Sequence, residues 1–139
     1  MNTIIFDPIS DEALDYAYEK LDKVIKWDEV RDEDLSDCEA CIIRVYKLDK
    51  ETIDKMPNLK IIAKHGVGTD SIDLDYAKSK GIRVTNTPTA NSNSVAELIV
   101  GLSLAVSRKI VDSHNMVLDG VDRISPPELT GFELAGKAL

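Results

Sequence analysis

Short apolar runs, separated by polar or glycine-containing segments, recur along the whole chain. Runs long enough for a strand lie at residues 3–6, 24–25, 41–45, 61–63 and 82–84, and the run at 24–25 is the weakest. The segments between them carry helix signals, so strand and helix alternate. This alternation predicts a parallel α/β sheet flanked by helices, in which ligands bind at the carboxyl ends of the strands.

Polar residues that can accept a backbone hydrogen bond mark where the short helices begin. Ser10 and Asp49 each stand at the start of a helical pattern, and Asp70 and Asp73 are the acidic residues at the start of another. Residues 27–39 are acidic and their pattern is broken, so we expect a loop or a poor helical turn there.

The longest predicted element follows the last strand. Ser94 and Glu97 have the spacing of a capping box, and a helical pattern continues to residue 119. We therefore predict one helix over residues 95–119, about 37 Å long at the helical rise. Apolar residues surround its first turns, which implies burial against either a second domain or a second subunit. The predicted domain covers residues 1–119, and residues 120–139 form a linker.

Charge and length exclude several classes of function. The chain has 139 residues and a formal net charge of −8, which argues against a nucleic-acid or anionic-membrane partner. The longest uncharged run, residues 98–107, is about half of the ~20 residues that a membrane span needs. Two cysteines without a secretion signal predict a reducing, cytoplasmic location.

A glycine loop after the run at 61–63 is a candidate binding site. Gly66 and Gly68 allow backbone amides to approach a bound group, and amides near a helix start favour an anion such as a carboxylate. A tight turn without a ligand is the alternative. The loop does not match the dinucleotide fingerprint G-x-G-x-x-G, because Ser71 stands where the third glycine belongs.

Two further polar residues fall near the predicted carboxyl edge. Arg44 lies within an apolar run, so its guanidinium needs an anion or must extend out to solvent. Its planar fork suits a carboxylate or phosphate ligand, and an internal ion pair is the alternative. Asn91 lies just before the long helix, where its side chain can contact a ligand or cap a turn.

Other candidate groups carry less chemistry. Cys38 and Cys41 form a C-x-x-C that leads into a predicted strand, so a buried structural role is favoured over a redox or zinc site. His65 adjoins the glycine loop and could act as a general base, and His114 lies late in the long helix without a partner in the sequence. For each, a structural or surface role is favoured over a catalytic one. We expect no metal site.

Three motifs carry a specific resemblance. Residues 64–73 read K-H-G-V-G-T-D-S-I-D, residues 86–97 read N-T-P-T-A-N-S-N-S-V-A-E, and residues 131–139 read G-F-E-L-A-G-K-A-L. In order and spacing they resemble the G-V-G-x-D-x-[IV]-D, N-T-P-x-x-N-x-x-x-V-A-E and G-x-E-L-x-G-K-x-L segments of the D-isomer-specific 2-hydroxyacid dehydrogenases. Within that family, the resemblance points to the phosphoglycerate-type members.

The resemblance implies a flavodoxin-like substrate domain that works beside a Rossmann domain holding NAD. It implies that the amides of Val67 and Gly68 bind the carboxylate of a small anionic 2-hydroxy or 2-oxo acid. It also makes Asn91 a substrate contact, Val95 a packing surface for the nicotinamide, and Arg44 a contact for the substrate's anionic end. A homodimer is expected.

The family's catalytic arginine, glutamate and histidine would follow residue 139, as would its G-x-G-x-x-G. We therefore expect no catalytic residue in this chain and no hydride transfer by it alone. Two alternatives stay open. One is a freestanding α/β binding or signalling module, although its expected acidic pair after the first strand is reduced to Asp7. The other is a dimerisation partner without catalysis.

Overall fold

A five-stranded parallel sheet forms the centre of the first part of the chain, with strand order β2-β1-β3-β4-β5. The computed structural model describes residues 1–121 and 127–137. The strands are β1 (Asn2–Ile5), β2 (Lys23–Ile25), β3 (Ala40–Ile43), β4 (Ile61–Lys64) and β5 (Arg83–Thr85). This order is that of flavodoxin-like folds, and it confirms the predicted fold class.

Helices connect the parallel strands, as right-handed crossovers require. They are α1 (Asp11–Lys20), α2 (Asp32–Leu35), α3 (Lys50–Asp54), α4 (Leu74–Ser79), α5 (Ser92–Ser107) and α6 (Ile110–Leu118), and a short 3₁₀ helix covers Pro127–Leu129. The hydroxyl of Ser10 and the carboxylate of Asp49 cap α1 and α3, as predicted. Of the two acidic residues before α4, Asp73 is the one that caps it. The acidic stretch contributes only the single turn of α2.

The core lies between the sheet and the helices that follow it. Ile4, Ile43 and Ile62 on the three central strands are fully or almost fully buried. Both faces of these strands need cover, which explains why they read as unbroken apolar runs. Leu48, Ile53 and Met56, which lie in α3 or next to it, belong to the same cluster.

The third strand ends two residues earlier than the apolar pattern predicts. Arg44 and Val45 follow β3, where the sequence placed them inside it. Their backbone N–H groups donate to the carboxylate of Asp7 at 2.6 and 3.1 Å. Because those amides leave the strand ladder, the chain turns out of the sheet at Arg44.

The predicted helix over residues 95–119 is wrong in two respects. It begins at Ser92, because the N–H of Val95 already donates to the carbonyl of Asn91 at 2.9 Å, so the proposed capping box lies inside the helix. It is also interrupted between α5 and α6. A continuous helix would offer the carbonyl of Ser107 to the fourth residue along, but that carbonyl accepts from the N–H of Phe132 at 2.9 Å.

The chain forms two compact units, Met1–Ala90 and Asn91–Leu139. The first contains the sheet and α1 to α4, and the second contains α5, α6 and the 3₁₀ helix. The assignment of residues 91–119 to the same domain as the sheet stays a prediction. Part of the predicted linker, residues 122–126 and 138–139, lies outside the described residues.

Within the parts of the chain that the structure describes, no helix has both the length and the apolar character to cross a bilayer.

Candidate functional site

The carboxyl ends of β3, β4 and β5 bring the predicted loops of the first unit to one edge of the sheet. Ile43 pairs with Lys64 across β3 and β4, and Ala63 pairs with Thr85 across β4 and β5. The segments that leave this edge are therefore neighbours, although the sequence separates them by about twenty residues each.

The glycine loop after β4 is held by the segment after β5. The N–H of Gly66 donates to the hydroxyl of Thr87, and the N–H of Thr87 donates back to the carbonyl of Gly66, both at 3.0 Å. The side-chain amide of Asn86 donates to the carbonyl of Val67 at 2.8 Å. Gly66 has φ +137°, which side-chain-bearing residues rarely adopt, so glycine is required there.

Two amides of this loop remain available to a ligand. The N–H groups of Val67 and Gly68 donate to no group that the structure describes, and both residues are exposed. A Cβ on Gly68 would lie 3.0 Å from the carboxylate of Asp70, so a larger residue would crowd that side chain. The loop thus offers two consecutive free donors on a fixed backbone.

The segment after β3 is fixed by Asp7, which follows β1. One carboxylate oxygen of Asp7 accepts from the N–H groups of Arg44, Val45 and Tyr46 at 2.6, 3.1 and 3.0 Å. Burial of Asp7 disfavours its charge, but these three hydrogen bonds and the nearby ammonium of Lys64 outweigh that effect, so the pKa of Asp7 lies below its ordinary value.

The guanidinium of Arg44 is free for a ligand. Arg44 is exposed, and its side chain has no acidic partner at ion-pair distance among the described residues, so the internal ion pair left open above is not formed. Lys47, three positions further on, differs because its ammonium pairs with Asp49 at 3.3 Å.

Asn91 and Val95 belong to the second unit, at the beginning of α5. Asn91 occupies the N-cap position, but its side chain makes no capping hydrogen bond, so its amide is not used to stabilise the helix. Val95 lies one turn into the helix, and 43% of its surface is exposed. The roles proposed for both residues stay predictions.

The remaining candidate groups are placed as structural ones. Cys38 and Cys41 are free and completely buried. Burial raises the pKa of the Cys38 thiol to about 11 and also raises the pKa of Cys41, so neither forms the reactive thiolate at neutral pH. Within residues 1–121 and 127–137, no three acidic, histidine or cysteine side chains are grouped closely enough to hold a metal ion.

The chain matches the family model described as "D-isomer specific 2-hydroxyacid dehydrogenase, catalytic domain" over residues 3–127. The chain belongs to this family. A putative 2-hydroxyacid dehydrogenase from Staphylococcus aureus USA300 is 44% identical over 93 residues, which are 66% of this chain and 29% of that protein.

Solved structures of the family share the fold. D-lactate dehydrogenase from Aquifex aeolicus, complexed with NAD and lactic acid, superposes with a TM-score of 0.83 at 29% identity, covering 96% of this chain and 41% of that one. The NAD⁺-bound 3-phosphoglycerate dehydrogenase of Entamoeba histolytica has a TM-score of 0.65 at 30% identity, covering 78% of this chain and 40% of that one. The chain thus spans less than half the length of each relative.

The sequence reasoning did not identify the residues that hold these loops. Asp7 was read as the end of a strand, and Asn86 and Thr87 as part of a polar turn. An aspartate directly after the first apolar run and the N-T-P segment are the signals in the sequence, but neither shows which amide or carbonyl is contacted.

Proposed function

We propose that this chain is the substrate-binding part of an NAD-dependent oxidoreductase that acts on the CH–OH group of a D-2-hydroxy acid. The observation that carries the proposal is the pair of free amides of Val67 and Gly68 at the carboxyl edge of the sheet. Hydrogen bonds from backbone N–H groups to a carboxylate are charge-assisted and about twice as strong as neutral ones. A 2-hydroxy acid presents such a carboxylate next to the carbon that reacts.

The other two substrate contacts extend from this anchor. The guanidinium of Arg44, which has no ion-pair partner among residues 1–121 and 127–137, suits a second anionic group, because its planar fork matches a carboxylate or phosphate. The uncommitted side-chain amide of Asn91 can donate to the carboxylate. The loop amides and Arg44, which both belong to the first unit, would fix the two ends of the substrate, and this is how a binding site restricts a reactant to productive orientations.

The free Arg44 makes an acid with a second anionic end, such as 3-phosphoglycerate, the favoured substrate. Relatives with the same fold are named for lactic acid and for 3-phosphoglycerate, so the family alone does not select between them. Lactate has no second anionic group to match Arg44, whereas the phosphate of 3-phosphoglycerate does.

The described residues fit only one end of a nicotinamide dinucleotide. Val95 provides an exposed apolar side chain on which a nicotinamide ring could pack. The glycine loop lacks the third glycine of the fingerprint that cradles a pyrophosphate. NAD, when bound, supplies the hydride acceptor, and this chain contributes a packing surface and the substrate's position.

We further propose that these 139 residues do not catalyse hydride transfer by themselves. The proposed contacts, the amides of Val67 and Gly68 with Asn91 and Arg44, would bind and orient an acid, but none of these groups is a base, and general-base catalysis requires one within hydrogen-bond reach of the substrate hydroxyl. Oxidation of NADH by the purified chain with hydroxypyruvate phosphate would disprove this.

We also propose that the chain forms a homodimer through α5, and that it works in the cytoplasm, where its two free buried cysteines stay reduced.

The alternative of a signalling module is less well supported. A receiver-like module needs acidic side chains that are free to hold a cation beside a phosphorylated aspartate. Here the carboxylate of Asp7 is already engaged by three backbone amides, and Tyr46 stands after β3.

Calorimetric titration of the 139-residue chain with 3-phosphoglycerate tests the proposed function. Wild-type protein is expected to bind, and Arg44→Met is expected to bind about ten- to hundredfold more weakly, since a hydrogen bond to a charged group contributes roughly 1.5–3 kcal/mol. Lys47→Met is the matched control, because it removes a neighbouring cation that is already paired. Absence of binding by the wild-type chain would contradict the proposal, and equal losses in both variants would remove Arg44 from the site.

A further inference from the structure

In a sheet with this strand order, the crevice between the carboxyl ends of β1 and β3 is filled by the protein's own Asp7. In flavodoxin-like sheets, ligands commonly bind outside the carboxyl ends of β1 and β3, where the strand order reverses. In this chain Asp7 leaves β1 at that point, and its carboxylate contacts the segment that leaves β3. An internal anion therefore occupies the place where an external one would bind.

The contact has the geometry of an occupied anion site. Three consecutive N–H groups, from Arg44 to Tyr46, converge on one oxygen of Asp7 at distances between 2.6 and 3.1 Å. Successive amides that point to one side form a concave site, or nest, that favours a negative charge. Asp7 is only 6% exposed, so its carboxylate is committed to these amides.

A second buried charge holds the same segment from the other side. The ammonium of Lys64, at the end of β4 and 9% exposed, donates to the carbonyl of Arg44. The ring of Tyr46 stacks on Phe6 with centroids 4.3 Å apart and an interplanar angle of 19°. Both backbone polar groups of Arg44 are thus fixed by charged side chains, while its own side chain stays exposed and unpaired among the described residues.

We propose that Asp7 is a positioning residue for Arg44, and that it thereby favours substrates that carry a second anionic group. Asp7 holds the backbone from which the guanidinium extends, so the cation starts from one fixed point at the carboxyl edge. Because Asp7 also fills the nest, a substrate's second anionic group meets the Arg44 side chain and not these amides. This inference rests on the proposed function, in which Arg44 contacts that group.

The physical reason is the cost of ordering a long side chain. A guanidinium on a mobile loop loses both backbone and side-chain freedom when it binds an anion, and this loss subtracts from affinity. A preordered backbone removes the first part of the cost. The effect should reach only ligands that touch Arg44 and should leave the carboxylate contact at Val67 and Gly68 unchanged.

The test compares two ligands on the 139-residue chain. Asp7→Asn keeps the shape of the side chain and removes its charge. Asp49→Asn is the matched control, because the carboxylate of Asp49 also accepts a backbone N–H, from Thr52 at 3.0 Å, but does so as the cap of α3. Asp7→Asn is expected to weaken 3-phosphoglycerate binding about tenfold and to change D-lactate binding by less than about twofold. Asp49→Asn is expected to change neither.

A double-mutant cycle and amide exchange complete the test. In an Arg44→Met background, Asp7→Asn should cause no further loss, because the two residues act through one contact. The amides of Arg44, Val45 and Tyr46 should exchange faster with solvent in Asp7→Asn, while the β4 amides should not. If Asp7→Asn does not fold, Lys64→Met removes the other holder of Arg44 and should show the same selective loss.

Several results would overturn the inference. Equal weakening of both ligands by Asp7→Asn would indicate a structural role, and unchanged exchange of the Arg44 amide would show that Asp7 does not fix the segment. A full additional loss in the Arg44→Met background would show that the two residues act independently. Binding of neither ligand by wild-type protein would remove the proposed function together with the inference, whereas the other results leave the carboxylate site intact.

Discussion

Asp7 and Lys64 are charged side chains that the fold buries, and each makes a contact that shapes the carboxyl edge. Asp7 satisfies three amides that would otherwise extend β3, and Lys64 satisfies the carbonyl of Arg44. Buried charges are rare unless they are paired or hydrogen-bonded, so these contacts account for their position. The backbone position of the exposed Arg44 therefore depends on Asp7 and Lys64, neither of which needs to contact a ligand.

The ionisation of Asp7 gives a pH-dependent prediction. Burial raises its pKa, but the three backbone hydrogen bonds and Lys64 lower it by more, so the folded-state pKa lies below the unfolded value of about 4. The ionised carboxylate hence stabilises the fold above about pH 4, and the contribution disappears as the pH falls through the folded-state pKa. Asp7→Asn should lower the free energy of unfolding by about 1–3 kcal/mol at pH 7.

Urea unfolding of both proteins at pH 7 and near pH 3 measures this contribution. The difference between wild type and Asp7→Asn should be large at pH 7 and much smaller at the acidic pH. An equal difference at both pH values would show that the charge of Asp7 does not stabilise the fold.

At the same scale, the sequence located the loop but not its supports. Gly66 and Gly68 after an apolar run predict a loop at a strand end, because glycine spacing and strand pattern are local signals. The contacts from Asn86 and Thr87 join positions about twenty residues apart, and no local pattern encodes them. From the sequence, Arg44 needs an anion or an exit to solvent, and only the fold shows that its side chain is exposed and that no described acid pairs with it.

Among the elements, the break between α5 and α6 is a feature that hydrophobic periodicity in the sequence does not predict. The helical pattern resumes at Ile110 and Val111 after the polar residues 107–109, so it predicts one helix. The carbonyl of Ser107 nevertheless accepts from Phe132, and Lys109 adopts the left-handed conformation with φ +54°. That conformation costs roughly 1–2 kcal/mol for a side-chain-bearing residue, so the contact from the distant segment must offset it.

Gly131 allows this contact, and its substitution tests it. A Cβ on Gly131 would lie 2.2 Å from the carbonyl oxygen of Ser107, which is a backbone atom that cannot rotate away. Gly131→Ala should therefore destabilise the second unit by about 1–3 kcal/mol. Gly101→Ala is the matched control, since nothing lies near its added Cβ, and it should stabilise α5 by about 0.5–1 kcal/mol.

Thermal unfolding followed by far-ultraviolet circular dichroism compares the two variants. A lower midpoint for Gly131→Ala and an equal or higher one for Gly101→Ala are expected. Equal midpoints for Gly131→Ala and wild type would mean that the segment at Gly131 does not pack against the end of α5.

For the whole molecule, the alternation of strands and helices was enough to predict a parallel α/β fold, because the strands and helices of each crossover have strong local sequence patterns. The resemblance to the family supplied the flavodoxin-like order. What covers the apolar surface of the second unit could not be predicted, since the sequence does not show which partner packs against it. Exposed apolar side chains recur around α5, at Val95, Leu98, Ile99, Val100, Leu102, Leu104 and Val106.

This surface predicts that the chain self-associates. Monomeric proteins rarely expose contiguous apolar patches of this kind, because association removes them from water. Light scattering should give a mass above that of the 15.4 kDa monomer at micromolar concentrations. A Leu98→Glu/Leu102→Glu variant should shift towards monomer, since each carboxylate would be costly to bury. A wild-type chain that is monomeric throughout this range would contradict the prediction.

The central claim is that the amides of Val67 and Gly68 bind the carboxylate of a 2-hydroxy or 2-oxo acid. Its most direct test is a titration of the ¹⁵N-labelled chain with glyoxylate, the smallest 2-oxo acid, followed by amide NMR. The proposal predicts saturable shifts at Val67 and Gly68, with little change at the Asp7-bound amides of Arg44, Val45 and Tyr46. Shifts confined to those three amides, or no saturable shift at Val67 and Gly68, would contradict it.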